Sequence, residues 1–170
     1  VSTSDAAYAP IKDLVIKGRS IQETTKGKQL FNASELSIPS ASYVLEITER
    51  GNYIRVSSAS KTSYTCAESY DNSLIGKTVY LSFDSLTFNI PNPTEVDPAF
   101  QLRVTQADDQ YLYYNVNKPS KPAKIVIPDD AKEVRLRLVS NNTTTAAASD
   151  VTFRGVRICL TESCEWEEYT

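Results

Sequence analysis

Histidine and methionine are both absent from the 170-residue sequence. Without histidine, the chain lacks the side chain that most often acts as general acid or base near neutral pH and that most often binds metals. Histidine-based triads, zinc hydrolase sites and phosphohistidine chemistry are therefore excluded. A start at Val1 suits a processed N-terminus or a piece of a longer polypeptide, and we expect the second.

Surplus positive charge and long apolar runs are missing too. The chain has 18 Lys and Arg against 21 Asp and Glu, a net charge of −3, so it lacks the excess that drives binding to phosphate backbones. No apolar run approaches the roughly 18 residues that cross a bilayer. We expect neither nucleic acid as a partner nor insertion into a membrane.

Cysteine is scarce, with three residues and no CxxC pair. Zinc binding and thiol catalysis are not expected from this set. Cys159 and Cys164 flank four residues and can close a short terminal loop as a disulfide. A reducing cytoplasm opposes that bond and later exposure favours it, so both states stay open. Cys66 lies in a strand-like run and is expected to be a buried apolar residue.

Short apolar or alternating runs, separated by turn signals, continue from Leu14 to the end of the chain, and no long helical stripe occurs. This pattern predicts an all-β domain over residues 14–170, preceded by a connector over residues 1–13. Thr143 to Ser149 is small and polar and predicts a flexible loop. The predicted strands are Asp13–Lys17, Tyr43–Thr48, Tyr53–Ser57, Ser63–Ala67, Thr78–Phe83, Leu86–Ile90, Phe100–Gln106, Gln110–Val116, Ala123–Ile127, Glu133–Val139 and Val151–Leu160.

Alternation assigns one buried face to each strand. The apolar positions are the odd ones in residues 79–83 and the even ones in residues 100–104 and 134–138. Two antiparallel sheets packed face to face, as a jelly-roll or Greek-key β-sandwich, accommodate about ten such strands.

Tyrosine is the most informative residue type, with 10 Tyr and one Trp beside only 5 Phe. A pyranose offers an apolar face to an aromatic ring and hydroxyls to nearby polar side chains. On Gln110–Val116, alternation separates Tyr111, Tyr113 and Asn115 from the core face. The competing interpretation packs these rings on a neighbouring strand or subunit. The candidate carbohydrate-binding residues are Gln101, Arg103, Asp109, Tyr111, Tyr113 and Asn115.

Paired carboxylates give little sign of catalysis. Asp108-Asp109 and Asp129-Asp130 lie in predicted turns, where aspartate caps the backbone, and adjacent loop residues make poor acid and base pairs. We therefore expect no enzyme. A calcium ion held by Asp and backbone carbonyls is possible in a loop, without an EF-hand spacing, and no other cofactor is expected. Trp166 is expected to pin the chain end to the body rather than to touch a ligand.

Several segments, in order, resemble the carbohydrate-binding-module-like jelly rolls of bacteriophage tail and baseplate proteins. The entry is similar over Leu14–Gln22 and Gly27–Asn32, and the glycine-led strand over Gly76–Asp84. The penultimate strand pair is similar over Ile125–Leu138, and the terminal strand and tail over Val151–Thr170. The family has a Pro-rich insert where this chain has Glu23–Lys26.

The resemblance implies a jelly roll of the galactose-binding-like or carbohydrate-binding-module type. It also implies a virion component, working outside the cell, that attaches a phage tail to a bacterial cell-surface polysaccharide and contacts other tail or baseplate subunits as a homo-oligomer. The family has no fixed sugar-contacting motif, so it implies no ligand residue here. The alternative is a structural or oligomerisation domain of a tail fibre or baseplate, with no glycan ligand.

Overall fold

A computed structural model describes residues 29–91, 93–118, 121–162 and 165–169. The predicted connector, its boundary at residue 13 and the predicted strand Asp13–Lys17 lie outside these ranges. Among the described residues, no helix has the length and apolar character needed to cross a membrane.

Strands dominate the described residues, and the helices are single 3-10 turns. The strands are β1 (Val44–Thr48), β2 (Tyr53–Tyr70), β3 (Thr78–Ser82), β4 (Ser85–Phe88), β5 (Ala99–Thr105), β6 (Tyr111–Val116), β7 (Ala123–Val126), β8 (Glu133–Arg154) and β9 (Arg157–Cys159). The 3-10 turns are Ala33–Glu35, Glu49–Gly51, Asn72–Leu74 and Pro93–Glu95.

Two antiparallel sheets make up the fold. The larger has the order β1-β2-β8-β5-β6, with β4 also paired to β8, and the smaller has the order β7-β3-β9. The chain crosses between the sheets after β2, β3, β6, β7 and β8. The predicted all-β antiparallel sandwich of jelly-roll type is confirmed.

The core lies between the sheets and follows the alternation in the sequence. Val79 and Leu81 of the smaller sheet and Phe100, Leu102 and Val104 of the larger one are fully buried. Phe83 meets Phe153 edge to face across the sandwich, with ring centroids 5.8 Å apart. The opposite face of the larger sheet is therefore available for polar side chains.

One predicted loop is wrong. Residues 143–149 belong to β8, which runs unbroken to Arg154. The register shifts here, because Asn142 pairs with Tyr64 while Ala147 pairs with Thr62. β8 thus carries extra residues opposite a short stretch of β2, and this bulge takes up the small polar residues that resembled a loop.

The predicted last strand, Val151–Leu160, is in fact two. Gly155, at φ +64°, ends β8 and redirects the chain into β9. β9 then pairs with β3 in the smaller sheet, whereas β8 belongs to the larger one. The turn from β8 into β9 requires positive φ, a conformation that glycine adopts without steric cost.

The ends of the described chain lie close together. Leu30 N–H donates to the Ile158 carbonyl at 2.8 Å, and Gln29 Nε2 donates to the Val156 carbonyl at 2.9 Å. Cys159 is disulfide-bonded, while Cys66 is a buried free thiol. Cys164, the predicted partner of Cys159, lies outside the described residues.

Candidate functional site

A groove of about 450 Å³ opens on the polar face of the larger sheet. Four neighbouring strands, β2, β8, β5 and β6, form its floor. Seven side chains line this sheet-face groove: Tyr64, Gln101, Arg103, Tyr113, Asn115, Arg137 and Asn142.

Four of the six residues predicted from sequence line the groove. Gln101 is paired in register with Asn115, and Arg103 with Tyr113, so the β5–β6 pair places all four side by side. Gln101 Nε2 donates to Asn115 Oδ1 at 2.8 Å, which holds both amides in position. Tyr113 is 51% exposed, and its ring is therefore accessible to a ligand.

The other two predicted residues lie outside the lining. Tyr111, 52% exposed, is next along the same face, with its ring centroid 6.2 Å from that of Tyr113. Asp109 lies in the β5–β6 turn, where its Oδ1 forms an ion pair with Nζ of Lys132 at 2.7 Å. The structure therefore does not bring Asp109 into the groove.

Sequence reasoning missed the half of the groove that β2 and β8 supply. Tyr64, Arg137 and Asn142 come from segments distant in sequence, which meet through the irregular register of these two strands. Alternation in residues 134–138 did place Arg137 on the polar face. Nothing local in the sequence signals that Tyr64 lies across from it.

Two glutamates neutralise most of the positive charge on this face. Glu68 accepts from Arg135 Nη1 and from Arg137 Nε, both at 3.0 Å. Glu133 accepts from Arg135 Nε at 2.6 Å and from Arg103 Nη2 at 3.1 Å. Hydrogen bonds from Arg135, and then from Arg103, hold the pKa of Glu133 below its usual value, so this carboxylate is ionised.

Two of these arginines also lie against aromatic rings. The guanidinium carbon of Arg103 lies 4.6 Å from the ring centroid of Tyr111, and that of Arg137 lies 4.9 Å from the centroid of Tyr64. Such contacts combine with the ion pairs to fix long side chains in one rotamer. The groove is thus a preorganised surface.

Nε of Arg103 is buried and has no hydrogen-bond partner among the described residues, whereas the buried hydroxyl of Tyr64 interacts with Cys66. Burial, with the nearby Cys66, raises the pKa of Tyr64, so its hydroxyl keeps its proton. Buried polar groups are normally paired with protein, water or ligand. Nε of Arg103 is therefore an unused donor beside the groove.

A second cavity, of about 340 Å³, lies where the two ends of the described chain meet, and we call it the terminal cavity. Phe31, Ile47 and Trp166 are among its lining residues. Glu167 accepts from Gln29 N–H at 2.9 Å, and Glu168 pairs with Arg50 at 3.1 Å. These contacts hold the C-terminal segment against the rest of the domain. The lining residues of this cavity therefore have a structural role, which is to fix the end of the described chain.

Within the described ranges, no group of three or more His, Cys, Asp or Glu side chains is placed to hold a metal ion. The two glutamates nearest the groove are each engaged by two arginines. The groove therefore offers aromatic faces, amides and guanidinium groups to a ligand.

Neither the scan of protein-family models nor the search of curated proteins finds a match. Among solved structures, the CBM22-1 xylan-binding domain of Paenibacillus barcinonensis Xyn10C aligns with a TM-score of 0.49 and 11% identity, over 81% of this chain and 97% of that one. The CBM22-1-GH10 modules of Clostridium thermocellum Xyn10B align with a TM-score of 0.44 and 13% identity, over 78% of this chain and 27% of that one.

A chain from the structure of accessory secretory proteins 1, 2 and 3 of Streptococcus pneumoniae also aligns. Its TM-score is 0.46 at 10% identity, over 80% of this chain and 96% of that one. At these TM-scores, the likenesses assign neither a family nor a ligand to the chain.

Proposed function

We propose that the chain is a non-catalytic carbohydrate-binding module and that its sheet-face groove binds a polysaccharide. One observation carries the proposal: the exposed ring of Tyr113 lies beside the amides of Gln101 and Asn115 and the guanidinium groups of Arg103 and Arg137. A pyranose needs an aromatic surface for its C–H face and fixed donors and acceptors for its hydroxyls. The groove supplies both on one preorganised sheet.

The state of the carboxylates supports a binding role without catalysis. A glycosidase needs a carboxylic acid whose pKa is raised, paired with a second free carboxylate. Here the pKa of Glu133 is lowered, and Glu68 is held by Arg135 and Arg137. Glu133 is therefore not available as a proton donor, and both carboxylate oxygens of Glu68 are occupied by arginine donors.

The biological ligand that we propose is a bacterial cell-surface polysaccharide, bound as part of a phage tail or baseplate. This assignment rests on the resemblance of the ordered sequence segments described above. Repeated copies in such an assembly would multiply a weak sugar contact through effective concentration.

Binding to a panel of bacterial surface polysaccharides tests the proposal, with Tyr113→Ala as the decisive variant. Loss of the stacking surface is expected to weaken binding about tenfold, whereas Tyr113→Phe keeps the ring and should stay within about threefold. Tyr53→Ala is the control, because that ring lies under Arg154 at the other end of the sheet. Equal binding by the Tyr113→Ala variant and the unmodified chain would contradict the proposal.

The second candidate is an interaction domain that joins tail subunits, and it is favoured by the position of Tyr111 and Tyr113 on β6, an edge strand of the sheet. In that case both rings become buried between copies. Light scattering separates the two functions: a stable oligomer that dissociates on Tyr111→Ala favours the interaction domain, and a monomer that binds polysaccharide favours the module.

A further inference from the structure

The sheet-face groove carries an excess of positive charge in a chain that is negative overall. Among the described residues, Arg103, Arg135 and Arg137 form their ion pairs with Glu68 and Glu133, so these pairs leave one positive charge unbalanced. The whole chain has a net charge of −3. Because salt screens charges beyond about 8–10 Å, a ligand in the groove responds mainly to the local excess.

Arg103 is the arginine whose guanidinium group can best pair with an anionic ligand. Its Nη2 is used by Glu133, but its Nε is buried and has no acceptor among the described residues. A buried donor left unpaired carries a free-energy cost, which a ligand acceptor can recover.

Apart from Arg103 and Arg137, the lining side chains are all neutral: Tyr64, Gln101, Tyr113, Asn115 and Asn142. They suit hydroxyls and ring faces and bring no negative charge to oppose an anion. A guanidinium group prefers a charged oxygen to a hydroxyl, because charge-assisted hydrogen bonds are about twice as strong as neutral ones.

We propose that the groove selects acidic polysaccharides and that Arg103 binds an anionic substituent of the glycan, either a uronate carboxylate or a phosphodiester. This inference rests on the proposed carbohydrate-binding function and names the chemical class of its ligand. The sugar ring then stacks on Tyr113 while the anion pairs with the guanidinium group of Arg103.

An array of capsular polysaccharides tests the inference, with three arms: neutral polymers, uronate polymers with their carboxyl-reduced derivatives, and phosphodiester polymers. We expect binding to an acidic polymer, weakened about tenfold by carboxyl reduction or by raised salt. Binding to phosphodiester polymers alone assigns the anion as phosphate. Equal binding before and after reduction, or binding to neutral polymers only, overturns the inference and leaves the proposed function standing. Binding to no polymer overturns both.

Substitution of Arg103 locates the effect. Arg103→Gln is expected to weaken binding to the acidic polymer about tenfold, and Arg103→Lys, which keeps the charge without the planar fork, is expected to weaken it less. Arg154→Gln is a matched control, since Arg154 also lies over a tyrosine and pairs with a glutamate, at the opposite end of β8. A folded Arg103→Gln variant that binds as well as the control contradicts the assignment.

Discussion

Glu68 is the residue that holds the floor of the groove together. It is only 7% exposed, and its two carboxylate oxygens take one arginine each, Arg135 and Arg137. Removing one partner from a buried ion pair is costly, because the remaining charge stays desolvated without compensation. The stability of this face therefore depends on a side chain that the ligand itself need not touch.

Replacement of Glu68 by glutamine should destabilise the fold by about 2–4 kcal/mol, since two adjacent arginines then lose their shared counter-charge. Glu46→Gln is the control. Its ion pair with Arg55 is solvent-exposed, so a change within about 0.5 kcal/mol is expected. Urea unfolding measures both free energies, and equal effects from the two variants would contradict the role given to Glu68.

At the scale of elements, the sheet change between β8 and β9 depends on Gly155. Its φ is +64°, and a Cβ there would clash with the side-chain carboxylate of Asp84. Asp84 is itself held by an ion pair with Arg157. An added methyl group would therefore strain the backbone and displace a fixed carboxylate.

Gly155→Ala is expected to destabilise the protein by about 2 kcal/mol or more, the sum of the left-handed backbone penalty and the clash with Asp84. Gly76→Ala isolates the first part. Gly76 also has positive φ, but the nearest atom to an added Cβ is 3.6 Å away, so a cost of about 1–2 kcal/mol is expected. Denaturant midpoints compare the two, and an equal loss would show that the approach to Asp84 is unimportant.

Structural features that depend on a local pattern could be predicted from the sequence. Features that depend on pairing between distant strands could not. Alternation along β6 separated Tyr111 and Tyr113 from the core, because strand faces follow a period of two whatever the neighbours are. The bulge in β8 depends on its register with β2, which no short window contains. The predicted loop at residues 143–149 was wrong for that reason.

At the scale of the whole molecule, the groove likewise combines residues that local sequence patterns predict with residues that only distant strand pairing brings in. Gln101, Arg103, Tyr113 and Asn115 come from one hairpin, and local chemistry was enough to select them. Tyr64, Arg137 and Asn142 complete the groove only because β8 lies between β2 and β5 in the larger sheet. Asp109 was selected for its chemistry, but the turn directs its carboxylate to Lys132.

The sheet-face groove and the terminal cavity lie on different parts of the molecule. The sheet-face groove is built from strands of one sheet, whereas the terminal cavity is lined by residues near both ends of the described chain, such as Phe31 and Trp166. The central claim is that polysaccharide binds the first and not the second.

Mapping amide chemical shifts by NMR during titration with a bound polysaccharide fragment tests that claim most directly. The largest changes are predicted at Gln101, Arg103, Tyr113 and Asn115, with further changes at Tyr64 and Arg137 across the sheet. Phe31, Ile47 and Trp166 should move little. Changes concentrated at the terminal cavity, with the groove residues unaffected, would contradict the claim.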